Sequence, residues 1–218
     1  MINIALDGPS GSGKSTIAKA LSKKLNILYL DTGAMYRACA LKAHKLNIDC
    51  KNKKLVDGFI DNIDIKVKYV NGEQHTYLDD IDVSKEIREN VISMKASDIS
   101  AHQSVRLKLV ELQRQIAKTT DCVLDGRDIG THVLPNANYK FYITASVDVR
   151  TERRYKELIE KGQSVDKDTL KLEIEKRDYN DSHREFAPLK QAEDAIYVDT
   201  SDMTIEEVIG KILSFLEK

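Results

Sequence analysis

Residues 8–15, Gly-Pro-Ser-Gly-Ser-Gly-Lys-Ser, follow directly on the short apolar run Ile2-Asn3-Ile4-Ala5-Leu6-Asp7. The string satisfies G-x-x-x-x-G-K-[ST], a loop whose backbone N–H groups curl around phosphate oxygens. Its setting constrains the fold more than the string does. Phosphate cradling needs a strand that delivers the loop and a helix that starts beneath it, so that N–H groups and the positive end of the helix dipole converge. Ile17, Ala20, Leu21, Lys24 and Leu25 supply that helix at i, i+3, i+4, i+7, i+8 spacing. A chance Gly/Ser-rich turn would lack these flanks. Gly8, Pro9, Ser10, Gly11, Ser12, Gly13, Lys14, Ser15 and Thr16 are therefore expected to hold a nucleoside triphosphate.

At 218 residues the chain has room for one nucleotide-binding core with small insertions. A hydrophobic content of 41% and a charged content of 32% suit a globular protein. The formal net charge of -1 gives no bulk attraction to a polynucleotide or an anionic membrane, so neither is an expected partner. No apolar run approaches the roughly 20 residues that span a bilayer. The first residues enter a strand without a basic or apolar leader, which points to the cytoplasm. Cys39, Cys50 and Cys122 lie far apart and read as reduced thiols, and the histidines show no metal-ligand spacing. Arginine is more telling. Only ten of the 34 basic residues are arginine, the side chain suited to bidentate phosphate recognition.

Short apolar runs alternate with helical patterns. Strands are expected at 2–7, 27–31, 122–125, 139–144 and 195–199, with amphipathic stretches at 35–46, 100–118, 147–161, 168–182 and 205–216. Such alternation predicts an α/β fold on a five-stranded parallel sheet with helices on both faces. Thr204, three residues before Glu207, offers a capping box for the last helix. One segment breaks the rhythm. Residues 63–70 alternate apolar and polar, Asn71-Gly72 offers a tight turn, and 74–78 can return as the partner strand. A small antiparallel ribbon with flanking helices, about residues 51–106, is thus expected as an insert in a single domain whose core is 1–50 and 107–218. Inserts at the carboxyl end of a parallel sheet often shape the ligand site.

Three further groupings narrow the chemistry. Asp31-Thr32-Gly33-Ala34-Met35-Tyr36-Arg37 follows the second strand, where Asp31 or Thr32 can cap the next helix and Arg37 lies one turn in. Asp125-Gly126-Arg127-Asp128-Ile129-Gly130-Thr131 follows the third. There Asp125 ends its strand as an acid that could hold magnesium through water, and Arg127 and Asp128 are adjacent opposite charges in a Gly-rich loop. Arg150, Arg153 and Arg154 share one helix face, and Arg177, Asp181 and Arg184 form a second stripe at i, i+4, i+7. The plain alternative is a solvated charged surface, with Glu152, Glu157 and Asp178 as pairing partners. Eight of the ten arginines nevertheless fall in these groupings or at the insert's end, leaving only Arg88 and Arg114.

Together, GPSGSGKST, DTGAMYRA, the inserted hairpin, LDGRDIGT with the following LPNA, and KRDYNDSHREFAPL resemble the bacterial cytidylate kinases, in that family's order and over essentially the whole chain. The resemblance implies a P-loop nucleoside monophosphate kinase fold with a monophosphate-binding insert and a helical lid, about residues 150–163. It implies transfer of the γ-phosphoryl group of ATP to CMP or dCMP, with Mg2+, in pyrimidine metabolism and by a monomer. By the same resemblance Thr32 stands beside the substrate and Arg37 grips the acceptor phosphate. Ser97 and Arg106 match cytosine contacts, Arg127 the arginine on the CMP phosphate, and Asp128 the acid that reads the base. Arg177 and Asp181 look like ribose contacts, and Arg184 like another cytosine-side contact. His132 stands where the family more often has an aliphatic residue, and reads as a tolerated surface change.

The chemistry agrees with that assignment. Cytosine presents an amino donor beside ring N3 and a carbonyl, which suits one carboxylate acceptor with arginine or hydroxyl donors; uracil reverses the pattern at position 4. Lys14 and the loop amides would hold the β- and γ-phosphates, Ser15 would ligate magnesium, and Arg150, Arg153 and Arg154 would close over the phosphoryl group in flight. No strong general base is needed, because the acceptor is an ionised phosphate oxygen. A kinase of the same fold acting on UMP, shikimate or a sugar acid would give no reason for Ser97, Arg106 and Asp128 together. A GTPase switch wants an N-K-x-D motif, which the sequence lacks. A nucleotide sensor without catalysis is separated from a kinase only by a turnover test.

Overall fold

The structure is a computed structural model that describes residues 1–216. In chain order its elements are β1 (Asn3–Asp7), α1 (Lys14–Leu25), β2 (Leu28–Asp31), α2 (Thr32–Lys45), α3 (Lys53–Ile60), β3 (Ile65–Val70), β4 (Glu73–Leu78), β5 (Ile81–Asp82), α4 (Asn90–Ile99), α5 (Gln103–Ala117), β6 (Cys122–Gly126), β7 (Tyr139–Thr144), α6 (Val147–Glu160), α7 (Lys167–His183), β8 (Ile196–Asp199) and α8 (Ile205–Leu216). A 3-10 turn covers Glu86–Arg88 and a π-helical turn covers Ile129–Val133. The expected α/β class is present. β2, β6, β1, β7 and β8 are the strands of a five-stranded sheet, and β3, β4 and β5 form a small antiparallel one. The chain divides into two compact units, one of Leu28–Asp121 with Met1, the other of Ile2–Ile27 with the chain from Cys122 onward.

In the second unit β1 is central. It pairs in parallel with β6, from Asn3 opposite Cys122 to Asp7 opposite Gly126, and with β7, from Ile4 opposite Tyr139 to Asp7 opposite Tyr142. β8 continues the sheet beside β7, also in parallel. Ile4, Ala5 and Leu6 are all fully buried, which is why β1 reads as a continuous apolar run: a parallel strand is covered on both faces. The register sends the chain out of β1 and β6 at one carboxyl edge, where ligands of α/β sheets sit. α1 starts directly at Lys14, and its buried stripe is Ile17, Ala18 and Leu21, with Lys24 exposed. α6 and α7 pack through Leu158, Leu170 and Ile174, with Val147, Tyr155 and Val165 around them. The expected lid, about residues 150–163, lies wholly in this unit. The capping box of α8 is formed: Thr204 N–H donates to Glu207 at 2.8 Å and Glu207 N–H returns to Thr204 Oγ1 at 3.3 Å.

The first unit holds the expected insert, about residues 51–106, in full. β3 and β4 pair in register from Ile65 opposite Leu78 to Val70 opposite Glu73. Asn71 (φ 53°) and Gly72 (φ 79°) make the turn with two left-handed residues, the geometry that matches the strand twist. A two-residue third strand, β5, was not anticipated. α2 begins at Thr32 rather than Met35, because the Asp31 carboxylate accepts from Ala34 N–H at 2.9 Å and caps the helix. α5 begins at Gln103 rather than Ser100, after a tight turn in which Ala101 N–H and His102 N–H bond back to Asp98 and Ile99. Cys39, Cys50 and Cys122 are buried, none of them in a disulfide, and Cys122 Sγ donates to Asn3 Oδ1 at 3.1 Å. Among the described residues no helix is long and apolar enough to cross a membrane.

Candidate active site

The phosphate loop is shaped by contacts that exclude side chains. Gly8 has φ +147°, and a Cβ there would fall 1.9 Å from the carbonyl oxygen of Ile143. Gly11 (φ +75°) lies under the main chain of Arg150, and Gly13 (φ +89°) starts α1 in the left-handed region. Lys14 folds back on its own loop, donating to the Pro9 carbonyl at 2.6 Å and to Ser12 Oγ at 3.0 Å, and is 5% exposed. Burial, helped by the Arg127 charge, pushes its pKa well below the ordinary ammonium value, against the pull of Asp125 and Asp7. Ser15 Oγ donates to Asp125 Oδ2 at 2.6 Å. Two hard oxygen donors side by side at the foot of a phosphate loop suit Mg2+, which takes few protein ligands and completes its shell with phosphate and water. Among the described residues no His/Cys/Asp/Glu cluster could hold a metal ion unaided.

A buried ionic network joins the segment after β6 to the end of α7. Arg127 Nε donates to Asp181 Oδ2 at 2.8 Å. Arg184 Nη2 lies 3.6 Å from Asp128 Oδ1, with side chains 6% and 4% exposed, and its Nη1 is 3.9 Å from Asp181 Oδ1. Burial alone would raise the pKa of Asp181, but Arg127, Arg177 and Arg184 outweigh it and hold the carboxyl below its usual range. The charge of Arg127 is likewise secured against burial, chiefly by Asp181. Arg127, Asp128, Arg177, Asp181 and Arg184 thus act on one another as a single group. The expected helical stripe needs one correction. α7 ends at His183, and Arg184 is extended, because Leu189 N–H bonds back to the Asp181 carbonyl at 2.7 Å and Arg184 Nε donates to the Ala187 carbonyl at 2.7 Å. Ala187 adopts a left-handed φ of 49° to present that carbonyl. His132 is not a surface residue either: it is half-buried, edge-on to Phe186 with ring centroids 5.0 Å apart.

The three arginines of α6 share a helix face but not a partner. Arg150 is 4% exposed and donates from Nε to the Ala145 carbonyl and from Nη1 to the Ser10 carbonyl and to Asp178. Arg153 reaches the Thr200 carbonyl at 2.7 Å and Thr200 Oγ1 at 3.0 Å. Arg154 runs along its own helix to Glu157 at 2.8 Å. Glu157 and Asp178 therefore do pair with these arginines, whereas Glu152 pairs with Lys167 and Lys156. Asp178 Oδ1 also accepts from the Ser10 N–H at 3.2 Å, tying α7 to the phosphate loop.

In the first unit Arg37 Nη2 donates to Asp31 Oδ2 at 2.9 Å, and Arg88, which the motif reading left aside, lies 3.7 Å from the same oxygen. Burial would raise the pKa of Asp31, but the two arginines and its bond to Ala34 N–H lower it. Gln74 from β4 serves the Asp31 main chain, accepting its N–H at 2.7 Å and donating to its carbonyl at 3.2 Å. Thr32 is buried, Ser97 half-buried on α4, and Arg106 almost fully buried, its guanidinium 5.2 Å from the Tyr36 ring centroid. Arg106 also donates to the Ser100 carbonyl at 3.2 Å. The sequence reading gave Asp7, Gln74 and Ala187 no site role, because each acts through a bond involving a main-chain group that no side-chain pattern announces.

The likeness to known proteins covers the whole chain. The family profile described as cytidylate kinase matches residues 4–218. A protein named cytidylate kinase from Caldicellulosiruptor bescii is 49% identical over 217 residues, covering 100% of this chain and 96% of that one. One of the same name from Streptococcus pneumoniae is 49% identical over 218 residues, covering 100% and 98%. Among solved structures, an uncharacterized protein from Eubacterium ventriosum shares the fold with a TM-score of 0.56 at 16% identity, covering 100% of this chain and 99% of that one. With its phosphate loop, five-stranded sheet and antiparallel insert in place, the chain belongs to the cytidylate kinase family.

Proposed function

We propose that the chain transfers the γ-phosphoryl group of ATP to CMP or dCMP, giving ADP and CDP or dCDP. The observation that carries this reading is the buried pair of Asp128 and Arg184, 3.6 Å apart in the same network as Arg127 and Asp181. Such a pair offers an acceptor to the cytosine amine and donors to its ring acceptors, and it would set Asp128 against another acceptor if uracil entered. Arg127 neutralises the acceptor phosphate, Arg177 and Asp181 hold the ribose, and Arg184 completes the base contact. Thr32, Arg37, Ser97 and Arg106 take the roles that the family resemblance gives them, on the insert side. Lys14 and the loop amides hold the donor phosphates. Arg150 and Arg153, already seated beside the loop, and Arg154, once released from Glu157, offset the charge that spreads over the phosphoryl group. Ser15, hydrogen-bonded to Asp125, would hold Mg2+, which when bound would supply further charge neutralisation at the phosphates. Residues 150–163 serve as the lid that excludes water. The same reading makes the protein a cytoplasmic monomer in pyrimidine nucleotide metabolism.

The test is a coupled ADP-release assay with ATP and magnesium against CMP, dCMP, UMP, AMP, shikimate and no acceptor. Turnover confined to CMP and dCMP is expected. Equal turnover of UMP would discard the base-reading role of Asp128, and ATP hydrolysis indifferent to acceptor would discard the kinase reading.

A further inference from the structure

The π-helical turn Ile129–Val133 begins directly after Asp128. Leading N–H groups of a helical turn find no partner within it, and a buried one left unmade is costly. Asp128 stands at the capping position, yet its side chain makes no capping bond. The bonds come from another element. Ile129 N–H donates to Asp7 Oδ1 and Gly130 N–H to Asp7 Oδ2, both at 2.7 Å. Asp7 closes β1 immediately before Gly8 and is 5% exposed. The far side of the turn is fixed as well, since the Asp128 carbonyl accepts from His132 N–H at 2.9 Å and Val133 N–H at 3.0 Å. Gly130 leaves room for the carboxylate. A Cβ there would meet Lys140 Cδ at 3.1 Å and Asp7 Oδ2 at 3.4 Å, and Lys140 is itself held by Asp194 and the Pro135 carbonyl.

A short, doubly accepting carboxylate is the one side-chain group that satisfies both N–H groups at once. Asparagine would accept one and aim its own NH2 at the other. We propose that Asp7 is a positioning residue for acceptor recognition: by holding Ile129 and Gly130 it fixes the main chain of Arg127 and Asp128, so that CMP affinity and the preference for CMP over UMP depend on it. The proposal rests on the reading of Arg127 and Asp128 as CMP contacts, and Asp7 acts through them rather than on the substrate.

The experiment compares wild type, Asp7→Asn and Asp128→Asn. CMP and UMP are varied at saturating ATP and magnesium, ATP is varied at saturating CMP, and folding is checked by circular dichroism at the assay temperature. Asp7→Asn is expected to raise the KM for CMP about tenfold and to shrink the CMP-to-UMP ratio of kcat/KM, with the KM for ATP within about twofold of wild type. General loosening of the protein would move the ATP and CMP constants together, and that result overturns the proposal. So does a folded Asp7→Asn enzyme whose CMP constant stays within about twofold of wild type. If Asp7→Asn is unfolded at the assay temperature, Gly130→Ala, which pushes on the turn with Asp7 intact, is judged by the same thresholds. A silent Asp128→Asn would sink the base-site reading itself, whereas an impaired Asp128→Asn beside a silent Asp7→Asn sinks the positioning role alone.

Discussion

Asp181 is the most exposing place to test the buried network, because replacing it with asparagine keeps the shape and removes the charge. Its Oδ2 accepts from Arg127 Nε at 2.8 Å, Arg184 Nη1 lies 3.9 Å from Oδ1, and its side chain is 7% exposed. Losing one charge-assisted hydrogen bond costs about 1.5–3 kcal/mol, and removing one partner of a buried pair costs about 3–5 kcal/mol. The Arg127 side chain keeps 20% of its exposure, so solvent takes up part of its stranded charge and the lower end, about 3 kcal/mol, applies. For a chain of this size that is a fall in melting midpoint of about 6–12 °C near neutral pH. The pH dependence has a definite sign. The three arginines hold the folded-state pKa of Asp181 below its ordinary value, so its stabilisation is present above the unfolded value and lost as pH falls through the folded one. The gap between wild type and Asp181→Asn should therefore be full at pH 7 and close below about pH 4. Thermal unfolding followed by circular dichroism across that range reads it directly. A gap below about 2 °C at pH 7, or one that widens on acidification, refutes the conclusion that ion pairing outweighs burial here.

Gly8→Ala should not be tolerated, since its Cβ would sit 1.9 Å from a main-chain oxygen at a φ suited only to glycine; a melting midpoint equal to wild type would contradict this. Lys14→Ala should abolish phosphoryl transfer while leaving the far-ultraviolet spectrum unchanged, and near-normal activity would remove the phosphate-loop lysine from the mechanism. Gln74→Ala strips both partners from the Asp31 main chain and should cost about 1–3 kcal/mol in urea unfolding, with no shift in midpoint as the opposing result.

Periodicity and motif position carried the fold, because both are local. The apolar run of β1, the alternation of β3 and the Asn71-Gly72 turn each state their own structure. The candidate site could be read from the sequence where a residue type is chemically committed, as with the loop glycines, Lys14, Ser15 and the arginines. It was illegible where a contact joins distant residues. The carboxylate of Asp7 looks like a strand end until Ile129 and Gly130 are placed against it. The turn at 129–133 reads as a loop, since its bonds from His132 and Val133 to one carbonyl follow no side-chain period. Arg184 fits the stripe of Arg177 and Asp181, yet the helix stops one residue earlier, where non-repeating bonds to Ala187 and Leu189 take over. Arg154 belongs to the same face as Arg150 and still bonds elsewhere, because Glu157 lies within reach along the helix.

The central position of β1 has a consequence for how the protein is made. Asn3 pairs with Cys122 and Ile4 with Tyr139, so both flanks of the strand come from well over a hundred residues downstream. Closing a loop of that length costs on the order of 4 kcal/mol in chain entropy before any sheet bond offsets it. On a ribosome adding about 5–20 residues each second, β1 and its phosphate loop wait many seconds for the partners that brace them. Leu28–Asp121, by contrast, is one continuous stretch and needs nothing synthesised later to close its own contacts. The residues translated first are thus among the last to take up their binding geometry.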